Sequence, residues 1–382
     1  MKKGWPTKTL AEVCQIKPPK SEARDKVSAS SLVSFLPMED MGIDVKFVQA
    51  TQTKPLSAVV GSYTYFADGD VLLAKITPCF ENGKLGIADG LSNGIGFGSS
   101  EYFVFRPDPT VSKEWLYYFL SRETFRVEGA ARMSGAVGHK RVSKEFIEDY
   151  PIPVPPLAEQ QRIVGLLDEA FEGLATAKAN AEKNLQNAHA LFESHLQSVF
   201  TQRGPSWVEK SLGETCEMYQ PKTIGTKDLV PDGPYPVFGA NGVIGRYDKF
   251  NHEEPQLLVT CRGATCGSVN ISEPKSWITG NAMVVRPKDH ALDLHFLEFV
   301  FRGGIDISSA ITGAAQPQIT RTNLSPLLIR YPKSVTEQTR LADKFEDLSE
   351  ETQRLARLYE RKLAALEALK KSLLHQAFTG AL

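Results

Sequence analysis

The sequence predicts an α+β protein in which two mixed α/β domains are joined by two long helices that form an antiparallel coiled coil, the whole being an internal repeat with pseudo-two-fold character. Three observations predict it. The segment 151–200 comes back at 329–378. Both copies carry apolar residues in heptad spacing. Each copy follows a block of short β-branched and aromatic runs separated by Gly, Asp, Asn and Pro, the pattern of strands in a mixed domain.

The repeat is expected to hold a single frame, with no gap, along the whole of 151–200. Glu159-Gln160 aligns with Glu337-Gln338 at a shift of 178 (337 − 159), and the same shift matches Arg162 to Arg340, Leu167 to Phe345, Leu185 to Leu363, Leu191 to Leu369 and Phe200 to Phe378 without a gap. The blocks upstream also restart alike: Trp207, Lys210, Leu212, Glu214 and Cys216 fall on Trp5, Lys8, Leu10, Glu12 and Cys14 at a shift of 202 (207 − 5). That shift drops to 180 (286 − 106) at Arg286-Pro287 and to 178 (312 − 134) where Thr312-Gly313-Ala314 meets Ser134-Gly135-Ala136. The two blocks therefore share a scaffold and differ by insertions in the middle, where their sequences diverge most. The boundaries read as 1–155 for the first block, 156–204 for the first helix, 205–332 for the second block and 333–382 for the second helix.

The bulk properties set limits. The chain has 382 residues, 42% hydrophobic and 23% charged, with a formal net charge of −1. This is an ordinary soluble composition, and the length suits two or three domains. The near-zero total charge argues neither for nor against nucleic acid, because binding depends on where charge sits. No run approaches the roughly 20 apolar residues of a membrane span, and the opening MKKGWPTKTLAEVC lacks the apolar stretch of a signal peptide. Cys14, Cys79, Cys216, Cys261 and Cys266 form a sparse, odd set, which reads as reduced thiols in a cytoplasmic protein. Cys261 and Cys266 lack metal-ligand spacing.

In the first block, runs at 46–51, 62–66, 71–76 and 101–106 read as strands, and 115–122 reads as a short amphipathic helix. The loop RMSGAVGHKRVSKEF is basic through His139, Lys140 and Arg141. The prolines of 151–156 cannot continue a helix or a central strand and deliver the chain to the first long helix. That helix is expected over 157–202, about 65 Å long at 1.5 Å per residue. Its seam is Ile163, Leu167, Ala170, Leu174, Ala177, Ala181, Ala188 and Leu191, with His195 continuing the series and the polar Asn184 at one seam position. Gly204-Pro205 ends it.

The second block carries strand-like runs at 236–239, 256–260, 268–271 and 282–286, joined by the Gly-rich turns FGANGVIG and CRGATCG. Residues 296–301 replace the short helix, and TGAAQPQITRTNL stands where SGAVGHKRVSKEF stood. The second long helix is expected over 334–376, opened by a Ser334…Glu337 capping box. Its seam is Leu341, Phe345, Leu348, Thr352, Leu355, Tyr359, Leu366, Leu369 and Leu373. Lys362 sits where Asn184 sits in the first helix, and a polar seam residue of this kind can fix register. Antiparallel pairing of the two helices would put the blocks at opposite ends of a rod, in a dumbbell or ring.

The order block–helix–block–helix, with the phrases YPIPVPPLAEQQRIV, GAAQPQIT, LLVTCRGATCGSV and TGNAMVVRP, resembles the DNA-specificity subunit of type I restriction–modification systems over essentially the whole chain. The resemblance implies that each block is a target-recognition domain dominated by a twisted sheet. It implies that the helices are a spacer that docks two methyltransferase subunits, and that motor-nuclease subunits complete the enzyme. S-adenosylmethionine, ATP and Mg would then bind the partners, and the chain itself would hold no cofactor and no metal. Two linked, unlike readers should recognise a bipartite, asymmetric site in double-stranded DNA. Half-sites about 34 Å apart present their major grooves on one face, and linkage raises the effective concentration of the second reader.

Bidentate edge geometry suits Arg and Lys to guanine, and Asn and Gln to adenine. On that chemistry the candidates in the first block are Lys75, Asn82, Lys84, Arg132, His139, Lys140 and Arg141. In the second they are Asn241, Arg246, Arg262, Asn281, Gln316, Gln318 and Arg321. Each lies in or beside a Gly-rich loop, where the alternative role is a solvated or loop-capping side chain. Arg106 and Arg286, before prolines at strand ends, read as structural. Trp115, Tyr117 and Phe296 read as core, and the glycines of 94–98 read as turns rather than a cofactor loop. On the outer helix faces Glu159, Gln160, Arg162, Glu337, Gln338 and Arg340 are candidates for partner docking. The chain has neither an amino-methyltransferase Asn/Asp-Pro-Pro-aromatic motif nor a Walker A sequence, so it is expected not to be an enzyme. Two other readings remain at this point: the specificity half of a more compact restriction–modification enzyme, and a coiled-coil scaffold without a DNA role.

Overall fold

The computed structural model describes residues 4–382 apart from Val137, Arg203, Ala240 and Ala314. The chain divides into two compact units, Met1–Asn180 with Lys362–Leu382, and Ala181–Arg361. Each unit holds one block and part of both long helices.

The motif that opens both blocks folds identically. Thr9 and Ser211 cap a single helical turn, accepting the N–H of Glu12 and Glu214, whose carboxylates accept the N–H of the capping residue in return. That reciprocal box is why Glu recurs three positions after the cap. Leu10 and Leu212 enter the core on the first helical residue, and Cys14 and Cys216 are buried as the following strand begins. Trp5 stands edge-on to Trp115, and Trp207 to Phe296.

Each unit then builds the same four-stranded antiparallel sheet, in which the first strand in the chain pairs with the last. In the first unit the order is Cys14–Ile16, Tyr102–Pro107, Val71–Ala74 and Leu85–Ala88, antiparallel throughout. In the second it is Cys216–Tyr219, Ala282–Pro287, Leu257–Thr260 and Val269–Ile271. The first unit adds Phe47–Val48 in parallel and a separate sheet of Gln52–Pro55, Leu32–Leu36, Ile95–Gly98 and Thr64–Ala67. The second adds a smaller sheet of Gly242–Tyr247, Tyr235–Gly239 and Trp277–Ile278. The insertions that shift the alignment are thus separate small sheets beside a common four-stranded sheet.

Behind each four-stranded sheet lies a short helix, Lys113–Leu120 or Leu294–Phe299. The sequence reads the first of these as amphipathic, but all of Trp115 to Leu120 is buried. It is covered on every side because the sheet and both long helices share one core with it: Trp115 and Phe119 meet Phe378, and Tyr118 meets Phe171. Phe296 and Phe299 play the same part in the second unit, against Phe200, Phe345 and Phe192. Arg106 is held by Asp70 and Glu22, and Arg286 by Glu217, consistent with structural roles.

The long helices span Leu157–Thr201 and Val335–Thr379. They run antiparallel: in the first unit Arg162 donates to the Leu382 carbonyl, while Lys178 pairs with Glu367 at 3.0 Å. Ser334 accepts the Glu337 N–H, but the Glu337 carboxylate accepts from Ser206 rather than closing the capping box.

Two details of the repeat are corrected. The sequence places Asn184 and Lys362 on the seam, yet both are exposed, and Leu185 and Leu363 take their places half-buried. A seven-residue repeat drifts about 20° per heptad on a straight helix, so a four-residue step must intervene. Beyond it Leu191 and Leu369 turn outward, 51% and 47% exposed, and His195 is exposed as well. The buried polar seam residues are Ser349 and Thr352, and the Thr352 hydroxyl is satisfied by the Leu348 and Ser349 carbonyls. The 178 shift is also not gapless. Ile152 pairs with Lys8 and Ile329 with Lys210, a shift of 177 (329 − 152) at these strands. One residue is therefore gained between strand and helix in the second copy.

Candidate nucleic-acid interface

The same junction recurs in each unit. A strand of the four-stranded sheet ends at Ala74 or Thr260, and the next residues bond to the loop that precedes a one-turn helix. In the first unit the Thr77 N–H donates to the Lys140 carbonyl and the Val142 N–H to that of Lys75. In the second the Gly263 N–H donates to the Pro317 carbonyl and the Ile319 N–H to that of Cys261. Ser143 and Thr320 then cap the helical turns. Both loops reverse at a glycine of positive φ, Gly135 at +126° and Gly313 at +86°. A Cβ at these positions would lie 2.9 Å from the His139 oxygen and 2.6 Å from the Gln316 oxygen, so both conformation and space call for glycine. Ala314, aligned with Ala136 in the sequence, lies outside the described residues.

In the first unit this junction lines a cavity of about 450 Å³ with Lys17, Lys20, Tyr63, Lys75, Phe103, Arg141 and Lys144 among its walls. Arg141 makes a bidentate pair with Glu101 at 2.8 and 2.9 Å, and Lys75 lies 4.0 Å from the same carboxylate. The Arg141 hydrogen bond holds Glu101 below the usual carboxylate range, while burial depresses Lys75 despite Glu101. One carboxylate thus holds two cations at the mouth of a groove that also presents aromatic faces. His139 and Lys140 are exposed in the same loop, and Asn82 is exposed in the turn after Pro78. Lys84 and Arg132 are tied locally, Lys84 to the Met38 carbonyl at 2.6 Å and Arg132 to that of Glu128 at 3.0 Å.

In the second unit Arg262, Gln318 and Arg321 line an equivalent cavity of about 410 Å³ with Tyr219 and Gln220. Asn281 adjoins it, its carbonyl accepting the Cys261 N–H. Asn241 is drawn in through its side-chain oxygen, which accepts the Thr265 hydroxyl at 2.7 Å. Gln316 is exposed on the same loop. Arg246 is not gathered there, since it donates to the Gly233 and Pro234 carbonyls.

Lys17, Lys20 and Gln220 were missed from sequence. The repeat could have found them, because they follow the matched Cys14 and Cys216 by three to six residues. Of the helix-face candidates, Gln160 and Gln338 are corrected: both are 0% exposed and bonded within their own units, which removes them from any docking face. Their sequence context, the first turn of a polar-looking helix, reads as surface, but the short helix of each block packs over it. Arg162 and Arg340 are exposed, while Glu159 and Glu337 are half-buried and Glu159 pairs with Arg162 at 2.7 Å.

The family model for the type I restriction modification DNA specificity domain matches residues 2–185 and again 205–361. The chain belongs to this family. Each of its two specificity domains contains one of the junctions just described. The type I restriction enzyme EcoAI specificity subunit of Escherichia coli is 38% identical over 162 residues, which is 42% of this chain and 27% of that one. The EcoprrI specificity subunit of the same organism is 26% identical over 228 residues, 56% of each chain. The chain thus spans about a quarter to a half of the length of the curated relatives it matches. Among solved structures, a chain from a study of complex assembly and conformational transition of the type I R-M system superposes with a TM-score of 0.77 at 20% identity, covering 100% of this chain and 99% of that one. The HsdS subunit from Thermoanaerobacter tengcongensis gives 0.68 at 19%, covering 100% and 98%. At these identities the likeness establishes the fold. No helix among the described residues is long and apolar enough to cross a membrane.

Proposed function

We propose that this chain is the non-catalytic, sequence-reading subunit of a type I restriction–modification complex and works in the cytoplasm on double-stranded DNA. Residues 1–155 and 205–332 are the two recognition domains, and each reads one half of a bipartite, asymmetric site. The helices of 156–204 and 333–382 set the spacing and dock two methyltransferase subunits, through which the motor-nuclease subunits join. S-adenosylmethionine, ATP and Mg belong to those partners.

One observation carries the reading: a single loop junction occurs at equivalent places in both specificity domains and bears unlike polar side chains. The first is cationic, with Lys75, His139, Lys140 and Arg141. The second mixes amides with cations, through Gln316, Gln318, Arg262, Arg321, Asn241 and Asn281. Arg and Lys favour guanine while Asn and Gln favour adenine, so unlike junctions read unlike half-sites. Asn82, Lys84, Arg132 and Arg246 are assigned to positioning or phosphate contact at the rim. Glu101 would hold Arg141 and Lys75 in place until a phosphate or base edge replaces it. On the helices, Glu159, Arg162, Glu337 and Arg340 are the proposed docking face.

Base-resolved mapping of methylated adenine in cells that express the complex tests this. One interrupted, asymmetric motif is expected, and exchanging residues 205–332 for another family member's should change one half of it. A palindromic or uninterrupted motif would sink the two-reader model.

A further inference from the structure

Gln160 and Gln338 occupy the first turns of the two long helices and are fully buried. Their hydrogen bonds are the same in kind. The Gln160 Oε1 accepts the Ser112 N–H at 2.9 Å, and its Nε2 donates to the Thr110 and Pro155 carbonyls, each at 2.8 Å. The Gln338 Oε1 accepts the Asp293 N–H at 2.7 Å, and its Nε2 donates to the Ala291 and Pro332 carbonyls at 2.9 and 2.7 Å. Ser112 and Asp293 are themselves the N-caps of the short helices behind the two four-stranded sheets. Each amide therefore ties three points together: the long helix, the linker that enters it, and the N-terminus of the domain's own helix.

Most of the rest of each attachment is apolar, with part-exposed ion pairs such as Lys46–Asp168 added in the first unit. Trp115, Leu116 and Phe119 pack with Ile163, Leu167 and Phe378, and Phe296 and Phe299 with Phe200 and Phe345. Apolar contact is strong but non-directional, so it tolerates sliding and rotation. Hydrogen bonds weaken steeply with misalignment, and a buried group that loses its partner is penalised. The amide is thus the fully buried directional element of each junction, where the ion pairs beside it are open to solvent screening.

We propose that Gln160 and Gln338 are positioning residues that fix the angle of each recognition domain on the helix pair and so set the spacing of half-sites the protein accepts. This rests on the two-reader function proposed above. One base pair changes the half-site separation by about 3.4 Å and rotates one half about the helix axis. A domain free to pivot on its apolar seat would follow that change, whereas a latched one rejects it.

The test uses the full chain in complex with its methyltransferase subunits. Methylation rates are measured on duplexes with the native gap and with gaps one base pair shorter and longer. Gln160→Met and Gln338→Met keep the volume and remove the amide. Each is expected to cut the ratio of native-gap to altered-gap rates about tenfold, chiefly by raising the altered-gap rates, and the double variant to cut it further. Gln160→Asn and Gln338→Asn retain an amide one methylene short. They should show a smaller loss, and they carry the test should a Met variant fail to fold. An unchanged ratio, or rates that fall in proportion at every gap, would overturn the latch and leave a merely structural amide. If the unaltered complex showed no gap preference at all, the two-reader function would fall with it.

Discussion

The two places where a block meets the long helices share one geometry and differ in chemistry. In the first unit ion pairs are added to an aromatic and aliphatic core. Lys46 pairs with Asp168 at 2.6 Å, Lys370 with Asp44 at 2.8 Å and Lys371 with Glu123 at 3.0 Å, and the Tyr118 hydroxyl also donates to Asp168. Asp44, Lys46 and Lys370 line a cavity of about 330 Å³ together with Tyr117, Phe171 and Leu174. In the second unit the meeting is dominated by rings. Phe192, Phe200, Phe299 and Phe345 form one aromatic cluster there. At the 178 shift, Phe192 stands where the first junction has Lys370, and Phe345 where it has Leu167. A duplicated scaffold can therefore keep its backbone plan and aromatic core, including the buried glutamine, while one copy adds ion pairs and the other adds rings.

The largest break in this comparison should come from Phe345→Ala. Phe345 is fully buried against Phe200 and Phe299, and its truncation should cost about 3–5 kcal/mol. Hydrogen exchange should show the loss concentrated in residues 181–361, with the first unit still protected. Next come the loop glycines. Gly313→Ala and Gly135→Ala each force a side chain into positive φ against a carbonyl oxygen, at a cost of about 1 kcal/mol or more. Each should relax discrimination at one half-site only, read by retention of degenerate duplexes. A change in both halves from either variant would contradict the independence of the two readers.

Asp168→Asn should cost less. Asp168 is 44% exposed, so the pair contributes at most about 1 kcal/mol after screening. That small difference should vanish near 1 M salt, where the Debye length is about 3 Å, while the aromatic junction of the second unit keeps its stability. Smallest is a chemical contrast that the two units share. Burial pushes the Cys14 thiol up to about 12 and the Cys216 thiol up to about 11. Both should resist alkylation at pH 8 in the folded protein, while the half-buried Cys79 and Cys266 label first. The protonated thiols are favoured by folding, so their contribution is complete below the unfolded value of about 8.5 and is lost as pH rises toward 11 and 12. Mass spectrometry of labelled peptides over pH 7–11 would check the order.

The legible and illegible parts divide along physical lines. The long helices were legible to within a few residues because apolar residues recur at three- and four-residue steps along 45 residues, the period of a helix. The opening motif was legible as a repeat, and the capping boxes explain its Glu. Strands such as Leu32–Leu36, Leu85–Ala88 and Ile95–Gly98 were not singled out, since short apolar or Gly-containing runs carry little periodicity. Gly242–Tyr247 looked like a turn because of its glycines, and is a hairpin strand paired with Tyr235–Gly239. Of the site, the loops themselves were legible from glycine and charge. What each side chain bonds to was not: Lys84 and Arg246 look like Lys75 and Arg262 in sequence, and differ because a carbonyl happens to stand within reach.

Sequence alone determined that the chain is duplicated, that its halves share a frame, and that they differ where loops are presented. Those facts lie in residue identity and spacing, which need no coordinates. Only the tertiary structure decided which residues sit on the helix seam and which glutamines lie inside. A seam follows the true pitch of 3.6 residues rather than the nominal 3.5, so Leu185 and Leu363 displaced Asn184 and Lys362. A polar side chain at a helix start is surface or core according to what folds over it, and that is supplied by a segment about 50 residues away, as Ser112 and Asp293 are for Gln160 and Gln338.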